Sequence, residues 1–217
     1  MKKLISFFLS FAVLVCLGMP AFAADSVNDV VSGKDVILEE YPLSNSDIVF
    51  TMELFEQMYT RQDVANMIAV EKAKESPASN QYRTYTASES EIDEFYRNVE
   101  AIAARTPALT YYFSNVYWRF RPDEYYGPNT LSLTLKPTAV TRNNHDLEVT
   151  MASWALVKAE CESSQYWTNE KSLEQQFRCH ASGEILYPGD IGDWDLEPIR
   201  PYVGLLTYKI NFCNPHD

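Results

Sequence analysis

The chain has 217 residues, with 30 acidic side chains, 18 basic ones and a net charge of −12. Removal of residues 1–23 would take Lys2 and Lys3 with it and leave 16 basic against 30 acidic side chains, a net of −14. Such a surface repels phosphate backbones and anionic headgroups, so nucleic acid is not an expected partner. Seven glycines exclude a collagen-like chain, and 46% hydrophobic residues argue against global disorder.

Residues 1–23 have the parts of a secretory signal peptide. Lys2 and Lys3 precede an uncharged apolar run over residues 4–19, and Ala21-Phe22-Ala23 forms a cleavage box. The apolar run is shorter than the ~20 residues that cross a bilayer, so no membrane span is expected once the signal is removed. We predict cleavage before Ala24 and a secreted or periplasmic location.

Composition divides the rest of the chain near Pro107. The part before it is rich in charge, whereas the part after it is rich in aromatic residues. We therefore predict a mobile lead-in over residues 24–45, a helical region over 46–107 and an α+β domain over 108–217.

Three helices are expected in the helical region, because apolar residues recur there at spacings of three and four. Residues that can cap a helix precede each of them. The predicted helices and their caps are 47–59 with Ser46, 62–75 with Thr60, and a third that opens at Ser88 and Glu91 and ends near Arg105.

After Pro107 the spacing of the apolar residues changes. Alternation of apolar and polar residues predicts strands over 116–120, 131–135 and 206–212, whereas wider spacing predicts helices over 147–161 and 172–181, the latter capped by Ser172. Asn-Gly and Asp-Gly, the strongest signals of a two-residue hairpin, are absent. The predicted fold class is α+β, with a helical N-terminal part followed by an aromatic-rich domain of strands and helices.

Three sequence blocks resemble a known family. The first is Ser172-Leu173-Glu174-Gln175-Gln176-Phe177-Arg178-Cys179-His180, which is similar to the family's Met-Arg-x-Gln-Phe-x-Cys-His block. The second is Trp194-Asp195-Leu196-Glu197-Pro198-Ile199-Arg200-Pro201, similar to Trp-Asn-Leu-Glu-Pro-Trp-Arg-Pro, and the third is Cys213-Asn214-Pro215, similar to Cys-Asn-Pro. The family is bacterial, mostly exported, and known as domain of unknown function number 2599. The resemblance covers about residues 115–215 and implies export but no activity. Asp195 and Ile199 depart from it, because the family has Asn and Trp there.

Three cysteines follow the signal sequence, namely Cys161, Cys179 and Cys213. An exported chain with an odd number of cysteines is expected to hold one bridge and one spare thiol, and spacing alone leaves three pairings open. The family resemblance implies that Cys179 pairs with Cys213, since both lie in matching blocks, and that Cys161 stays reduced.

Acidic residues crowd one segment, where Asp190, Asp193, Asp195 and Glu197 lie close together. A calcium loop, a carboxylate pair for acid–base work and a solvated acidic loop are the alternatives, and the last is the most common in proteins. The motifs of common hydrolases, phosphate-binding loops and metal sites are absent. We predict neither a cofactor nor a metal site, and we assign no catalytic residue.

The predicted function is that of an exported, non-catalytic binding or interaction module, whose partner is a protein or an envelope glycan. The predicted binding residues are His180, Trp194, Glu197 and Arg200. For Arg200, the alternatives are anion recognition and an internal salt bridge to Glu197. The tyrosine and tryptophan pairs Tyr111-Tyr112, Tyr125-Tyr126 and Tyr166-Trp167 are either a sugar-stacking platform or core packing. The alternative function is a secreted hydrolase that uses His180, Asp195 or Glu197.

Overall fold

The computed structural model describes residues 35–43, 46, 48–75, 85–182, 192–203 and 213. These residues contain seven helices and four strands, which confirms the predicted α+β class. In chain order the elements are β1 (Val36–Glu40), α1 (Met52–Met58), α2 (Arg61–Glu75), α3 (Glu89–Ala103), α4 (Leu109–Tyr112), β2 (Phe113–Asp123), β3 (Gly127–Pro137), α5 (Ala139–Asn143), α6 (Leu147–Cys161), α7 (Glu170–Ala181) and β4 (Trp194–Leu196).

The four strands form one antiparallel sheet in the order β1-β2-β3-β4. Its centre is the long β2–β3 hairpin, in which Trp118 lies opposite Leu133 and Val116 opposite Leu135. These four side chains are completely buried, as the alternating sequence predicts for the inner face of a sheet. The predicted strands over 116–120 and 131–135 are therefore confirmed.

The turn of this hairpin is built without an Asn-Gly or Asp-Gly pair. Asp123 and Gly127 are paired across a three-residue turn. The Asp123 carboxylate accepts hydrogen bonds from the backbone N–H groups of Tyr125 and Tyr126, both at 2.9 Å. Gly127 has φ +94°, a conformation that side chains other than glycine rarely adopt. The sequence did not predict this turn, because Asn-Gly and Asp-Gly pairs mark two-residue loops, whereas this loop has three residues.

Local sequence signals predict the middle helices well. The bounds of α2, α3 and α6 agree with the predicted helices to within two residues. At α3, Ser88 and Glu91 form the predicted reciprocal capping box. Before α2, the Asp63 carboxylate accepts from the Thr60 N–H at 2.8 Å, while the Thr60 hydroxyl accepts from the Asp63 N–H at 3.2 Å.

Two predicted helix starts are wrong. The first helix begins at Met52 with Thr51 as its cap. The Ser46 hydroxyl accepts from the Ile48 N–H at 3.2 Å, but no helix follows there, because Val49 pairs with Ala108 as an isolated β-bridge. The last described helix begins at Glu170, not at residue 172. Ser172 is therefore not a cap; it lies inside α7, fully buried, and its hydroxyl donates to the carbonyl of Arg200 at 2.8 Å.

Helices and sheet share one hydrophobic core. Phe55 and Phe95 from the helical region belong to the same buried cluster as Phe113 of the sheet and Phe177 of α7. Residues 36–40, which the sequence analysis placed in the lead-in, form β1 and pair with β2. The predicted signal peptide and the predicted strand over 206–212 lie outside the described residues.

Because the core is shared, a substitution in the helical region should destabilise the sheet as well. Phe55→Ala removes a fully buried ring, so we expect a loss of about 3–5 kcal/mol in the free energy of unfolding. All four tryptophans lie after residue 107, so their fluorescence reports on the later part of the chain. We expect both fluorescence and circular dichroism to show the same lowered urea midpoint.

The exposed Glu56→Ala on the same helix is the control and should leave the midpoint nearly unchanged. An unchanged fluorescence midpoint in Phe55→Ala would show that the helical region folds separately.

Candidate functional site

A network of charged side chains covers the sheet face that lies opposite the core. On β4, Trp194 and Leu196 enter the core, so the side chain of Asp195 lies on the other face. The Asp195 carboxylate accepts from Arg119 at 3.0 and 3.1 Å and from Arg121 at 2.7 Å. Hydroxyl groups of β3 also donate to it, those of Thr134 at 2.6 Å and Ser132 at 3.2 Å. Asp195 is therefore surrounded by donors from the chain itself.

Glu197 is the most deeply buried acid of this network, with no exposed surface. Its carboxylate accepts from Arg121 at 3.0 Å and from Arg200 at 2.6 Å. Burial raises the pKa of Glu197 above its ordinary value, although both arginines act in the opposite direction. Its backbone is also held, because the Gln176 side chain accepts from its N–H and donates to its carbonyl, both at 2.9 Å.

Arg200 connects the network to the hairpin turn and to α7. Besides its bond to Glu197, its guanidinium donates to Asp123 at 2.8 Å and lies over the ring of Tyr126. The Arg200 carbonyl accepts from the side chain of Asn169, at 2.8 Å. Of the two alternatives for Arg200, the internal salt bridge to Glu197 is present, and only 3% of the side chain is exposed.

His180 and the two acids lie on different faces of β4. The His180 ring stacks on Trp194, with centroids 5.8 Å apart and an interplanar angle of 13°. Asp195 and Glu197 meet at Arg121 on the opposite face. The structure thus brings the two acids of the hydrolase hypothesis together but separates them from the histidine. Ligand contact by His180, Trp194, Glu197 and Arg200 stays a prediction.

The acidic segment is part of this network. Asp195 and Glu197 are paired with arginines, while Asp193 lies 3.8 Å from Lys136. Asp190 lies outside the described residues. Within the described part of the chain, no three His, Cys, Asp or Glu side chains are grouped in a way that would hold a metal ion.

The predicted aromatic pairs are used in different ways. Trp167 stacks on Trp154 with centroids 5.6 Å apart, and Tyr166 packs on Trp118. Tyr112 is buried, whereas its neighbour Tyr111 is half exposed. Tyr125 is exposed at the hairpin turn. Core packing therefore accounts for one or both members of two of the three pairs.

Cys179 and Cys213 form a disulfide with Cα atoms 5.5 Å apart, and Cys161 is free and buried in the core. The pairing that the family resemblance implied is confirmed. The bond joins α7 to the C-terminal segment of the chain.

A cleft between α2, α3, α6 and α7 was missed by the sequence analysis. Its volume is about 510 Å³, and Ile68, Phe95 and Leu147 are its apolar lining residues. Two basic side chains, Lys72 and Arg178, also line it, and Arg178 lies 3.8 Å from Glu71. The acidic residues of the lining are Glu71, Glu91, Glu94, Asp146 and Glu148. These acidic residues come from three separate segments, so no local sequence motif predicts that they lie together.

These features define an α+β domain in which Asp195, Glu197 and Arg200 form ion pairs within the fold. Residues 115–216 match the model of a family described as "Protein of unknown function (DUF2599)". No curated protein and no solved structure matches the chain. Among the helices that the structure describes, none is both long and apolar enough to cross a membrane.

The disulfide should contribute strongly to stability. Its sequence separation of 34 corresponds to a chain-entropy contribution of about 3.8 kcal/mol, reduced by any native strain. We expect Cys213→Ser to lower the free energy of unfolding by about 2–4 kcal/mol, measured by urea titration.

Reduction of the wild-type protein by dithiothreitol should have the same effect, and it should not change the Cys213→Ser variant. Cys161→Ser is the matched control with the disulfide intact. A greater loss in Cys161→Ser than in Cys213→Ser would contradict the prediction.

The Asp123–Arg200 pair predicts a dependence of stability on pH. Burial alone would raise the pKa of Asp123, but the Tyr126 and Tyr125 N–H groups and Arg200 outweigh it and hold the pKa below its ordinary value. The stabilisation is therefore present above the ordinary pKa of about 4 and is lost as the pH falls through the lowered folded value.

Asp123→Asn keeps an acceptor for the turn but removes the charge, so we expect a loss of about 2–3 kcal/mol at pH 7. The difference in free energy of unfolding between wild type and variant should shrink as the pH falls from about 5 to below 3. Glu56→Gln, an exposed control, should show no such trend. A constant difference across this range would refute the assignment.

Proposed function

We propose that the protein is an exported, non-catalytic binding module whose ligand occupies the cleft between α2, α3, α6 and α7. The observation that carries the proposal is the cleft itself. Its volume of about 510 Å³ lies within the range of about 300–1,000 Å³ that is typical of small-molecule sites. Its lining combines three large apolar side chains with ionisable groups, which can fix the orientation of a ligand.

Export is supported by sequence and by chemistry. Residues 1–23 have the pattern of a signal peptide. The Cys179–Cys213 disulfide is of a kind that persists in oxidising compartments such as the periplasm or the extracellular space.

A secreted hydrolase using His180, Asp195 or Glu197 is the less favoured function. A general base needs a lone pair that can reach the proton it abstracts. Asp195 already accepts from four side chains of the chain itself, and Glu197 is completely buried. The stacked His180 lies on the other face of β4 from both acids.

The binding proposal is tested by filling the cleft. Asn98 lines it from α3, so Asn98→Trp should obstruct it. Arg97→Trp, at the preceding position of the same helix and outside the lining, is the matched control. Metabolites and envelope-glycan fragments would be screened by thermal shift. We expect a stabilising ligand to lose at least about tenfold in affinity in Asn98→Trp and to bind Arg97→Trp as it binds wild type.

Equal binding to both variants, or conversion of the ligand to a product, would contradict the proposal. Export is checked separately by the intact mass of the protein from a bacterial envelope fraction, which should correspond to a chain that begins at Ala24. A mass that retains residues 1–23 would contradict export but not binding.

A further inference from the structure

The cleft has an excess of negative charge. Five carboxylates line it against two basic side chains, Lys72 and Arg178. An anionic ligand that enters such a site is repelled, and the partly enclosed geometry strengthens this repulsion. The cleft therefore disfavours anions and favours cations.

The carboxylates of the cleft differ in how the chain uses them. Glu91 accepts from the backbone and hydroxyl of Ser88 in the capping box of α3. Glu148 accepts from Asn98 at 2.9 Å. Glu91 thus stabilises the start of α3, and Glu148 links α6 to α3. Both side chains still contribute negative charge to the cleft.

Glu94 and Asp146 are different, because neither carboxylate has a hydrogen bond or an ion pair with any residue in the described part of the chain. Asp146 precedes α6 but its side chain makes no capping bond. Both residues are exposed and line the cleft from different elements, α3 and the start of α6. Their charge is therefore available to a ligand without any loss of an internal contact.

The apolar residues set the rest of the ligand's chemistry. Ile68 and Phe95 are nearly buried, and Leu147 is half-buried. A methylene chain packed on them would remove apolar surface from water, while its ammonium groups meet the carboxylates. A compact inorganic cation would leave this apolar surface uncovered.

We infer that the cleft binds a small organic polycation, an alkylamine with ammonium groups at the ends of a methylene chain. The inference rests on the proposed binding function and specifies the class of its ligand. Charge complementarity selects the ammonium groups, and the apolar lining selects the methylene body. The cleft volume of about 510 Å³ suits a small molecule rather than a folded partner.

The test measures binding of spermidine by isothermal titration calorimetry to the full mature protein. The double variant Glu94→Gln/Asp146→Asn removes the two unpartnered charges of the cleft. The double variant Glu56→Gln/Glu100→Gln removes the same net charge from exposed positions outside the cleft lining. Since the whole chain is acidic, this control separates the cleft from general attraction to the surface.

We expect spermidine to bind wild type and the control with similar affinity and to bind Glu94→Gln/Asp146→Asn about tenfold more weakly. Asn98→Trp should weaken it also. Citrate, a polyanion, and octanediol, an uncharged chain with polar ends, should not bind. Circular dichroism would verify that all variants are folded, as is expected for substitutions of exposed carboxylates.

Equal affinity for both double variants would overturn the inference, because spermidine would then bind only through the general acidity of the chain. Absence of spermidine binding to wild type would overturn it as well. Binding of citrate or octanediol that is lost in Asn98→Trp would refute the cationic class but leave the proposed binding function intact.

Discussion

The rest of the structure depends on the burial of the Glu197 carboxylate. Removing a charge from water costs several kcal/mol, and only close partners of opposite charge offset this. Arg121 and Arg200 supply those partners at 3.0 and 2.6 Å. Arg121 belongs to the central hairpin, whereas Glu197 follows the edge strand β4 directly. The two segments must therefore remain in register, because a slip would leave a buried charge without its partner.

The same constraint explains why the family blocks lie where they do. Gln176 holds the backbone of Glu197, and Ser172 holds the carbonyl of Arg200. Cys179 of the first block is bonded to Cys213 of the last. The three blocks that resemble the family are thus joined by hydrogen bonds between side chains and backbone groups and by one disulfide. The match to the family therefore reports on this scaffold and does not by itself specify a ligand.

Sequence analysis succeeded where the determining interactions are local. Helical spacing and capping boxes operate within a few residues, so α2, α3 and α6 were predicted closely. It failed where a distant partner decides. Ser46 is of a residue type that caps helices, but the bridge between Val49 and the distant Ala108 keeps the residues after it extended. Strand β1 was missed for the same reason, since it is ordered by pairing with β2 rather than by a pattern of its own.

The residues of the candidate site could not be predicted from local sequence either. Glu197 and Arg200 stand out in the sequence because they belong to a dense motif, yet their charges are used within the fold. Glu94 and Asp146 belong to no sequence motif, and they line the same cleft only because α3 packs near the start of α6. A polar group whose hydrogen bonds stabilise the fold would have to break them to bind a ligand, whereas a group without such bonds can bind a ligand at no such cost. The proposed ligand site therefore uses charges that the fold leaves available, whereas the charges of Glu197 and Arg200 are paired within the fold.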